Sequence, residues 1–474
     1  MFNPEADSDS CSSLSIASDL LLDDDDDEEY WGKELENESP TNKSSADYTF
    51  CKFKFQEIIP TSDIKPKPRS GHRIVHYKGR IFSFGGYNPS IDQHDPDMAE
   101  DEVWAESRPL FKELWELNLS TRVWTRCCMR GEVPEQLASH TAVTHPAHPG
   151  TMLIYGGTGA PFGLTTSNTV VACSLDTQTF SQLEVDETDF GAGWPMPLYG
   201  QAVVADPGRL ITVGGTSGFT YFMDVHLLDL RASPPRWSCL YRLSGVREEP
   251  EPRYRHELAL WEDQLYVLGG GTSFSADRFE DLPTFSIVHR RWYYTRTKPD
   301  PLATIDNVRC HTYNSQKYSV FNTLFQSDDG YPEARRCHSA VQIKEVVWIF
   351  GGYDGEEVFG DVWQLSLVTR QWARLRVDLP VPVYFHAMTV SEEGKMIMFG
   401  GVDDIEANTR TCAVYGAWLR VPSLRTLCWE AACHYWPGMA AVPATQLMQE
   451  GVPRDCVEML ASAAGDRAGQ AVWG

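Results

Sequence analysis

The sequence predicts an all-β fold in which six four-stranded antiparallel sheets form a closed ring, and two repeated features predict it. First, an alternating strand, a turn and an aromatic residue recur along the chain, most clearly in Asp361–Trp372. Second, a glycine pair follows a short β-branched or aromatic run six times, at Gly85-Gly86, Gly156-Gly157, Gly214-Gly215, Gly269-Gly270, Gly351-Gly352 and Gly400-Gly401. One such sheet cannot bury both faces, so neighbouring repeats must stack around an axis.

Each repeat divides into four short strands, which we label a to d in chain order. Strand a is often led by Arg-x-x-His, as in Arg69 to His72, Arg253 to His256 and Arg335 to His338. Strand b ends at the glycine pair, where the missing Cβ lets backbones approach closely. Strand d carries a large residue that can fill the gap between adjacent sheets. These residues are Trp124, Phe180, Trp237, Trp292 and Trp372.

The glycine pairs in phase with the strand-d aromatics resemble the kelch repeat, and the resemblance covers roughly residues 66–419. It implies a six-bladed kelch β-propeller with a short α-helical tail. The sixth repeat has no strand d, because Pro422 follows its strand c at Thr411–Leu419. An orphan alternating segment, Tyr48–Ile58, precedes the first repeat. We therefore predict that residues 48–59 complete blade six, so that the propeller spans 48–420 and two exposed edges disappear.

The two ends of the chain differ from the repeats in composition. Residues 1–47 hold fifteen Asp and Glu against two Lys, which gives −13 of the total net charge of −25. This segment includes seven consecutive acids at Asp23–Glu29, and such sequence predicts a disordered tail. After the ring, residues 421–465 have a helical pattern, and we expect 466–474 to be a flexible end.

Composition also bears on function. The acidity of the chain argues against a nucleic-acid partner. No apolar run reaches the roughly 18 residues that cross a bilayer, and Met1 does not begin a signal peptide, so we expect no membrane association. The twelve cysteines include no CxxC pair, which favours a reduced compartment, the cytoplasm or the nucleus. We expect no metal, cofactor or catalytic residue, because a galactose-oxidase-type enzyme needs clustered copper ligands and the strand-a imidazoles are spread around the ring.

Binding residues are expected on the face where the b–c and d–a loops emerge. That face receives the long insertions Asn88–Leu110 and Tyr293–Glu333, and long loops on a rigid scaffold commonly carry binding sites. Clustered guanidiniums there suit a carboxylate, which they can hold with two parallel hydrogen bonds. The candidates on this face are Arg253, Arg255, Arg335, Arg336 and Ser273. For Arg253 and Arg335 a scaffold role within Arg-x-x-His is an equal alternative, whereas Arg255 and Arg336 are additional to the repeat.

The tail carries two further motifs. Leu424, Cys428 and Ala432 fall four residues apart and form one helical stripe, which Pro422 suits as part of the first turn. The stripe resembles the BC box that binds elongin C. Further on, Val452, Pro453 and Leu460 resemble the cullin-2 box. The alternative is a packing helix that merely covers the propeller.

Taken together, the chain resembles the kelch-domain-containing substrate receptors of cullin-2–elongin ubiquitin ligases. The resemblance implies partners of four kinds: elongin C, elongin B, cullin 2 and substrate proteins captured by a C-terminal glycine for ubiquitination. The sequence finishes with Trp473-Gly474, and we predict that these residues enter the same pocket, either within one molecule or between two, and that the second case promotes self-association. The alternative is a kelch scaffold for cytoskeletal or signalling proteins, which leaves the two boxes unexplained.

Overall fold

The computed structural model describes residues 48–461, apart from 92–94, 96–97, 99–100, 187–192 and 304–328. Six antiparallel sheets surround a channel and form the predicted six-bladed β-propeller. Within the described residues, no helix is long and apolar enough to cross a membrane. The predicted acidic tail and flexible C-terminal end lie outside the described residues.

Blade one contains β2 (Arg73–Tyr77), β3 (Arg80–Phe84), β4 (Leu114–Asn118) and β5 (Val123–Arg126). Blade two contains β7 (Thr141–His145), β8 (His148–Tyr155), β9 (Val170–Ser174) and β10 (Thr179–Gln182), with β6 (Arg130–Gly131) parallel to its outer strand. Blade three contains β11 (Ala202–Asp206), β12 (Arg209–Thr216), β13 (Tyr221–Asp229) and β14 (Arg236–Tyr241).

Blade four contains β15 (Glu257–Trp261), β16 (Gln264–Leu268), β17 (Asp281–Ser286) and β18 (Arg291–Arg296). Blade five contains β19 (Ser339–Ile343), β20 (Val346–Phe350), β21 (Val362–Ser366) and β22 (Gln371–Arg374). Blade six contains β23 (Ala387–Val390), β24 (Lys395–Phe399), β27 (Val414–Trp418) and the N-terminal strand β1 (Gln56–Glu57). A small hairpin, β25 (Val402–Asp404) and β26 (Thr409–Arg410), lies in its b–c connection.

Helices occur in two places among the described residues. The first b–c connection contains α1 (Glu102–Ser107). The tail contains α2 (Leu424–Tyr435), a 3₁₀ turn (Pro437–Ala441), α3 (Ala444–Gln449) and α4 (Arg454–Leu460). Ser423 is the N-cap of α2 and accepts a hydrogen bond from the backbone N–H of Thr426, so Pro422 precedes the cap and does not lie in the first turn as predicted.

The ring joins the two ends of the propeller, because β1 pairs antiparallel with β27 through Gln56 and Gly416. The predicted continuous strand is nevertheless interrupted at Phe53, which has a φ of 60°. The chain before this point leaves the sheet, and the Tyr48 hydroxyl donates a hydrogen bond of 3.0 Å to Glu430 of α2. The strand therefore begins later than the alternating sequence predicts, because the residues before Phe53 contact the tail instead.

The glycine pairs have a shared steric reason. In blade four, a Cβ on Gly269 would lie 2.8 Å from the His338 ring of the next blade, and one on Gly270 would lie 2.6 Å from Cβ of His256. Both glycines have positive φ, and the other five pairs repeat the arrangement, with Gln201 in place of histidine in blade three. Burial lowers the pKa of the inner histidines, to about 3 for His256.

The strand-d aromatics fill the gaps between blades. Trp237 packs 5.3 Å from Tyr155 of blade two, and Trp372 packs 5.6 Å from Phe279 of blade four, measured between ring centroids. All five aromatics are buried. Replacing a buried Trp or Phe by Ala costs about 3–5 kcal/mol, so these residues hold the blades together.

Candidate functional site

A closed ring of backbone hydrogen bonds surrounds the channel mouth. The residue before the strand-a His or Gln donates its N–H to the equivalent carbonyl of the preceding blade, at 2.7 to 3.1 Å. Each of these residues has positive φ, between 55° and 67°. They are Gly71, Ser139, Gly200, Arg255, Cys337 and Phe385. Strain at four non-glycine positions is therefore part of a mouth that all six blades build together.

Arg253 and Arg335 belong to the blades rather than to the mouth. Their guanidiniums donate to the carbonyls of Gly269 and Gly351, the first glycine of each pair, at 3.2 and 3.0 Å. Each also donates to a backbone carbonyl two residues earlier in the chain. Arg253 forms an ion pair with Asp277, and Arg335 forms one with Asp361.

Arg69 repeats this arrangement in blade one, with a 2.8 Å ion pair to Glu113. These contacts occupy the guanidiniums of Arg69, Arg253 and Arg335, which we call the anchoring arginines. This is the scaffold role that the sequence left open for Arg253 and Arg335, and a part for either of them in carboxylate binding stays a prediction.

Arg255 lies across the mouth. Its guanidinium contacts the hydroxyl of Ser139 in blade two and covers the ring of Phe385, before blade six, at 4.4 Å. Among the described residues, its Nε has no hydrogen-bond partner and no carboxylate lies within ion-pairing distance. Burial lowers its pKa from the ordinary arginine value. A desolvated cation with a free donor is suited to receiving an anion.

Arg336 fixes two loops of the same face. Its guanidinium donates to the carbonyls of Ser275 and Asp354, both at 3.1 Å, and more weakly to that of Ser273 at 3.4 Å. These bonds join the b–c loops of blades four and five. The Ser273 hydroxyl lies 2.7 Å from that of Tyr221, so this predicted residue is held at the rim.

Arg410 is a third cation of the mouth, and sequence reasoning did not select it. Its Nε donates 3.2 Å to the hydroxyl of Ser70, and its guanidinium covers the ring of Tyr87 at 5.4 Å. Burial lowers its pKa. The residue lies on the hairpin after Gly401, where the repeat pattern contains no arginine. In the sequence, the position of Arg410 on a b–c connection is the feature that could have identified it as a candidate.

The three mouth arginines, Arg255, Arg336 and Arg410, share one property. In the described part of the chain, none of them has an ion pair with a carboxylate, whereas every anchoring arginine has one. Tyr254 lies between Arg255 and Arg336, and burial raises its pKa, so its phenol remains a hydrogen-bond donor. The arrangement can hold a carboxylate by charge and by several donors.

The channel below the mouth is blocked. Arg73 of blade one and Glu257 of blade four form an ion pair of 3.5 Å across it. A cavity lined by Arg255 and this pair measures only about 10 Å³, roughly the space of one water molecule. A ligand must therefore end at the mouth rather than pass through. Among the described residues, no cluster of His, Cys, Asp or Glu suits a metal ion.

The tail packs against the opposite face, where the a–b and c–d turns lie. Trp429 donates 3.2 Å to the hydroxyl of Ser120 in the c–d turn of blade one, and Asn118 donates 2.8 Å to the carbonyl of Met459. Glu430 accepts hydrogen bonds from Tyr48 and Trp418, which links α2 to the closing segment and to blade six. The tail is thus fixed to the propeller.

The predicted box residues have different surroundings. Leu424 is 76% exposed and Cys428 is also exposed, whereas Ala432 is half-buried against the tail's own core. Val452 and Leu460 are partly buried around that core, and their role in binding cullin 2 stays a prediction. Pro453 is exposed at the start of α4. The terminal residues Trp473-Gly474 lie outside the described residues.

The sequence profile of the KLHDC2/KLHL20/DRC7 Kelch-repeats domain matches residues 102–321 and 307–430. The chain belongs to this kelch-repeat family. It is 37% identical to Kelch domain-containing protein 10 of Xenopus laevis over 395 residues, which cover 83% of this chain and 86% of that protein. The human protein of the same name is 36% identical over 395 residues, with coverages of 83% and 80%.

A Kelch domain-containing protein 10 homolog of Drosophila melanogaster is 32% identical over 421 residues, with coverages of 83% of this chain and 62% of the homolog. The chain is thus a kelch-repeat protein homologous to Kelch domain-containing protein 10. It is a protein-binding propeller, and kelch propellers are generally non-catalytic binding scaffolds.

Proposed function

We propose that this protein is the substrate-recognition subunit of a cullin-2–elongin B/C ubiquitin ligase. It binds proteins that end in glycine through the channel mouth and promotes their ubiquitination, while the transfer chemistry belongs to its partners. The observation that carries this proposal is Arg255, a desolvated cation without a carboxylate partner at the mouth of a blocked channel.

A protein C-terminus fits this environment for two reasons. Its carboxylate can accept a charge-assisted hydrogen bond from Arg255, and a free end suits a site that has no exit. A terminal glycine has no side chain, so its carboxylate can approach the crowded backbone ring at the mouth. Ser273 and Arg336 contribute by fixing the neighbouring loops.

The tail supports the ligase part of the proposal. Leu424 and Cys428 leave an apolar stripe of α2 exposed, as an elongin C contact requires, and Pro453 is available to cullin 2. The stripe lies on the face opposite the mouth, so the adaptor and the substrate can bind together. The Glu430 contacts fix the orientation of α2 relative to the propeller.

The substrate proposal is tested with matched peptides that end in glycine, as the free acid or as the amide. The acid should bind more than tenfold better, because losing a buried arginine–carboxylate pair costs roughly 2–5 kcal/mol. Arg255→Ala should remove this preference, whereas Arg253→Ala is expected to act through stability. Equal binding of acid and amide would exclude a carboxylate-reading mouth.

The ligase proposal is tested by co-purification with elongin C, elongin B and cullin 2. Leu424→Ala combined with Cys428→Asp should abolish elongin C binding, because a charge would enter an apolar interface. Met448→Asp, an exposed change on α3, is the matched control. If the unaltered protein recovers none of the three partners, the cytoskeletal or signalling scaffold remains the better account.

Occupation of the mouth by Trp473-Gly474 is a separate part of the proposal. A tethered end has an effective concentration near the millimolar range, so even a weak end can compete with substrates. Appending one Lys after Gly474 should raise peptide affinity or reduce the oligomer mass. If neither quantity changes, the chain end does not occupy the site.

A further inference from the structure

The outer edge of a blade is its strand d, whose outward backbone groups need partners. In blades one, two, three and five, the connection that arrives from the preceding blade supplies one. It donates a backbone N–H, over 2.7 to 3.0 Å, to the carbonyl of the residue just before strand d. The donor and acceptor residues are Thr61 and Arg122, Arg130 and Gln178, Asp186 and Pro235, and Lys298 and Arg370. The chain itself therefore covers part of these four edges, which limits pairing with other chains.

Blade four lacks this cover in the described part of the chain. The equivalent carbonyl belongs to Arg290, and none of the described backbone N–H groups donates to it. The N–H of Thr297 donates 2.8 Å back towards β17, so the alternate residues Trp292, Tyr294 and Arg296 direct their backbone groups away from the sheet. β18 is six residues long, whereas the outer strand of blade six, β1, has two residues. Among the described residues, blade four therefore presents the longest edge without such a contact.

The connection from blade three to blade four folds on itself instead of covering the edge. The carboxylate of Glu249 accepts hydrogen bonds from the backbone N–H groups of Ser244, Gly245 and Val246, at 2.7 to 3.2 Å. It also accepts a bond of 2.7 Å from the Tyr241 hydroxyl. These bonds use the backbone donors of the connection within one compact loop, so they are not available to β18.

The edge of blade four is cationic. Residues 290–298 include four exposed cations and no Asp or Glu. Arg296 forms an ion pair of 2.6 Å with Asp281 of β17. Within the described residues, no carboxylate forms an ion pair with Arg290, Arg291 or Lys298. Three cations beside the outward backbone groups are therefore available to an incoming chain.

Two tyrosines lie between these cations. Tyr293 is 37% exposed and Tyr294 is 48% exposed. Because they are consecutive in a strand, their rings lie on opposite faces of the sheet. Arg291 shares a face with Tyr293, and Arg296 shares a face with Tyr294. Each face of the edge thus presents an aromatic ring next to an arginine.

The charge of the edge decides which chain can pair with it. A second copy would place arginine and lysine opposite arginine and lysine, and like charges directly opposite each other are destabilising. Cations on an edge strand ordinarily prevent that kind of pairing. They favour an acidic chain, whose carboxylates would lie opposite the arginines while apolar side chains pack on the two tyrosine rings.

We propose that the outer edge of blade four binds an extended acidic segment of a partner protein, which joins the sheet as a fifth strand. Main-chain hydrogen bonds to Trp292, Tyr294 and Arg296 would hold the segment, and the exposed cations would select its charge. The site needs neither a chain terminus nor the helical tail. It is therefore independent of the carboxylate site at the channel mouth.

The probe is the peptide Glu-Glu-Val-Val-Glu-Glu-Val-Val, acetylated and amidated so that neither end can bind as a terminus. In an extended chain this order gives each face alternating carboxylates and apolar side chains. The full-length protein should bind it. A peptide with Lys in place of every Glu should bind at least tenfold less tightly, because like charges then meet at the edge.

Hydrogen exchange locates the bound peptide. Its addition should slow exchange of the backbone amides of Trp292, Tyr294 and Arg296, which point away from the sheet. The amides of Tyr293 and Thr295 bond to β17 and should change little. Protection of alternate residues indicates strand addition, whereas a purely ionic contact would leave these exchange rates unchanged.

Matched variants separate the backbone contribution from the side chains. Tyr294→Pro removes one outward N–H without breaking a bond to β17, and edge strands tolerate proline at such positions. It should bind the peptide about tenfold more weakly than Tyr294→Ala, which loses the same ring but keeps the N–H. Arg291→Glu should also weaken binding about tenfold. Arg130→Glu changes an exposed arginine on the covered edge of blade two and should leave binding unchanged.

Two results would overturn the proposal directly: no binding of the capped acidic peptide, or equal binding by Tyr294→Pro and Tyr294→Ala. Slow exchange at the three outward amides without peptide would also contradict it, because the edge would already be occupied. If deletion of residues 1–47 then removes the protection, the occupant is the acidic N-terminal segment of this chain. If dilution removes it together with a fall in mass, the occupant is a second copy. Peptides that end in glycine test the proposed function separately.

Discussion

Arg253 and Arg255 lie two residues apart in the chain but belong to different parts of the molecule. Arg253 is held by its own blade, through the Gly269 carbonyl and Asp277. Arg255 crosses the channel mouth to Ser139 and Phe385, which belong to other blades. A repeat can therefore use one arginine to stabilise its own blade. The arginine two positions later, in a strained backbone position, contributes to the channel mouth that all six blades form.

The same division occurs once more in blade five, with Arg335 as the anchor and Arg336 beside it. Each anchoring arginine also offers its backbone carbonyl to the second glycine of the preceding blade, at 2.9 or 3.0 Å. The anchoring arginines therefore link neighbouring blades, whereas the mouth arginines lie at the channel mouth. Substitutions of anchoring arginines should therefore lower stability, whereas substitutions of mouth arginines should affect binding.

The largest expected effect on stability comes from opening the ring of blades. Deletion of residues 1–60 removes β1 and leaves β27 as an exposed edge, so the propeller should unfold or aggregate. Deletion of 1–47 alone should barely change the melting temperature. A soluble monomer of equal stability that begins at residue 61 would show that the N-terminal strand does not close blade six.

The next largest effect is expected from acid, which should weaken the packing between blades through the buried strand-a histidines. Burial lowers the pKa of His140, His256 and His386 to about 3, against about 6.5 in the unfolded chain. The folded protein keeps these rings neutral, so the stability is complete above about pH 6.5 and falls as pH decreases towards 3. Each histidine contributes up to about 1.4 kcal/mol per pH unit in this range.

This acid dependence is measurable in denaturant titrations between neutral pH and pH 5. His256→Gln imitates the natural Gln201 of blade three and should reduce the slope of stability against pH by the share of one histidine. An unchanged slope would mean that His256 does not titrate differently on unfolding.

The third largest loss of stability is expected when a single anchoring arginine is removed. Arg335→Ala leaves the half-buried Asp361 without its cation, although Trp363 still donates to it, and breaking a buried pair costs about 3–5 kcal/mol. Denaturant midpoints of Arg335→Ala and of Arg370→Ala, an exposed arginine in the c–d turn of the same blade, provide the comparison. Equal midpoints would remove the distinction between anchoring and other arginines.

The smallest effect on stability is expected for the mouth. Arg255→Ala removes a desolvated cation that has no carboxylate partner, so the free energy of unfolding should change by less than about 1 kcal/mol or rise slightly. Arg and Ala meet the same backbone strain at a φ of 58°, so the substitution isolates the side chain. A loss of unfolding free energy as large as that of Arg335→Ala would place Arg255 among the anchoring arginines.

The sequence by itself determined the propeller, because its repeat is local and every blade restates it. The glycine pairs, the strand-d aromatics and the unfinished sixth blade each follow from short-range patterns of size and alternation. The sequence also located the face that receives the long connections, because strand order alone assigns the b–c and d–a loops to one side.

Only the tertiary structure decided which residues make the mouth. Ser139 and Arg255 are 116 residues apart, and Arg410 meets Ser70 across 340 residues, so no local pattern connects them. The interruption at Phe53 and the packing of Val452 and Leu460 likewise depend on the tail's contacts. A repeat fixes each blade through short-range sterics, whereas the site arises where different blades converge, and that convergence exists only once the ring has closed.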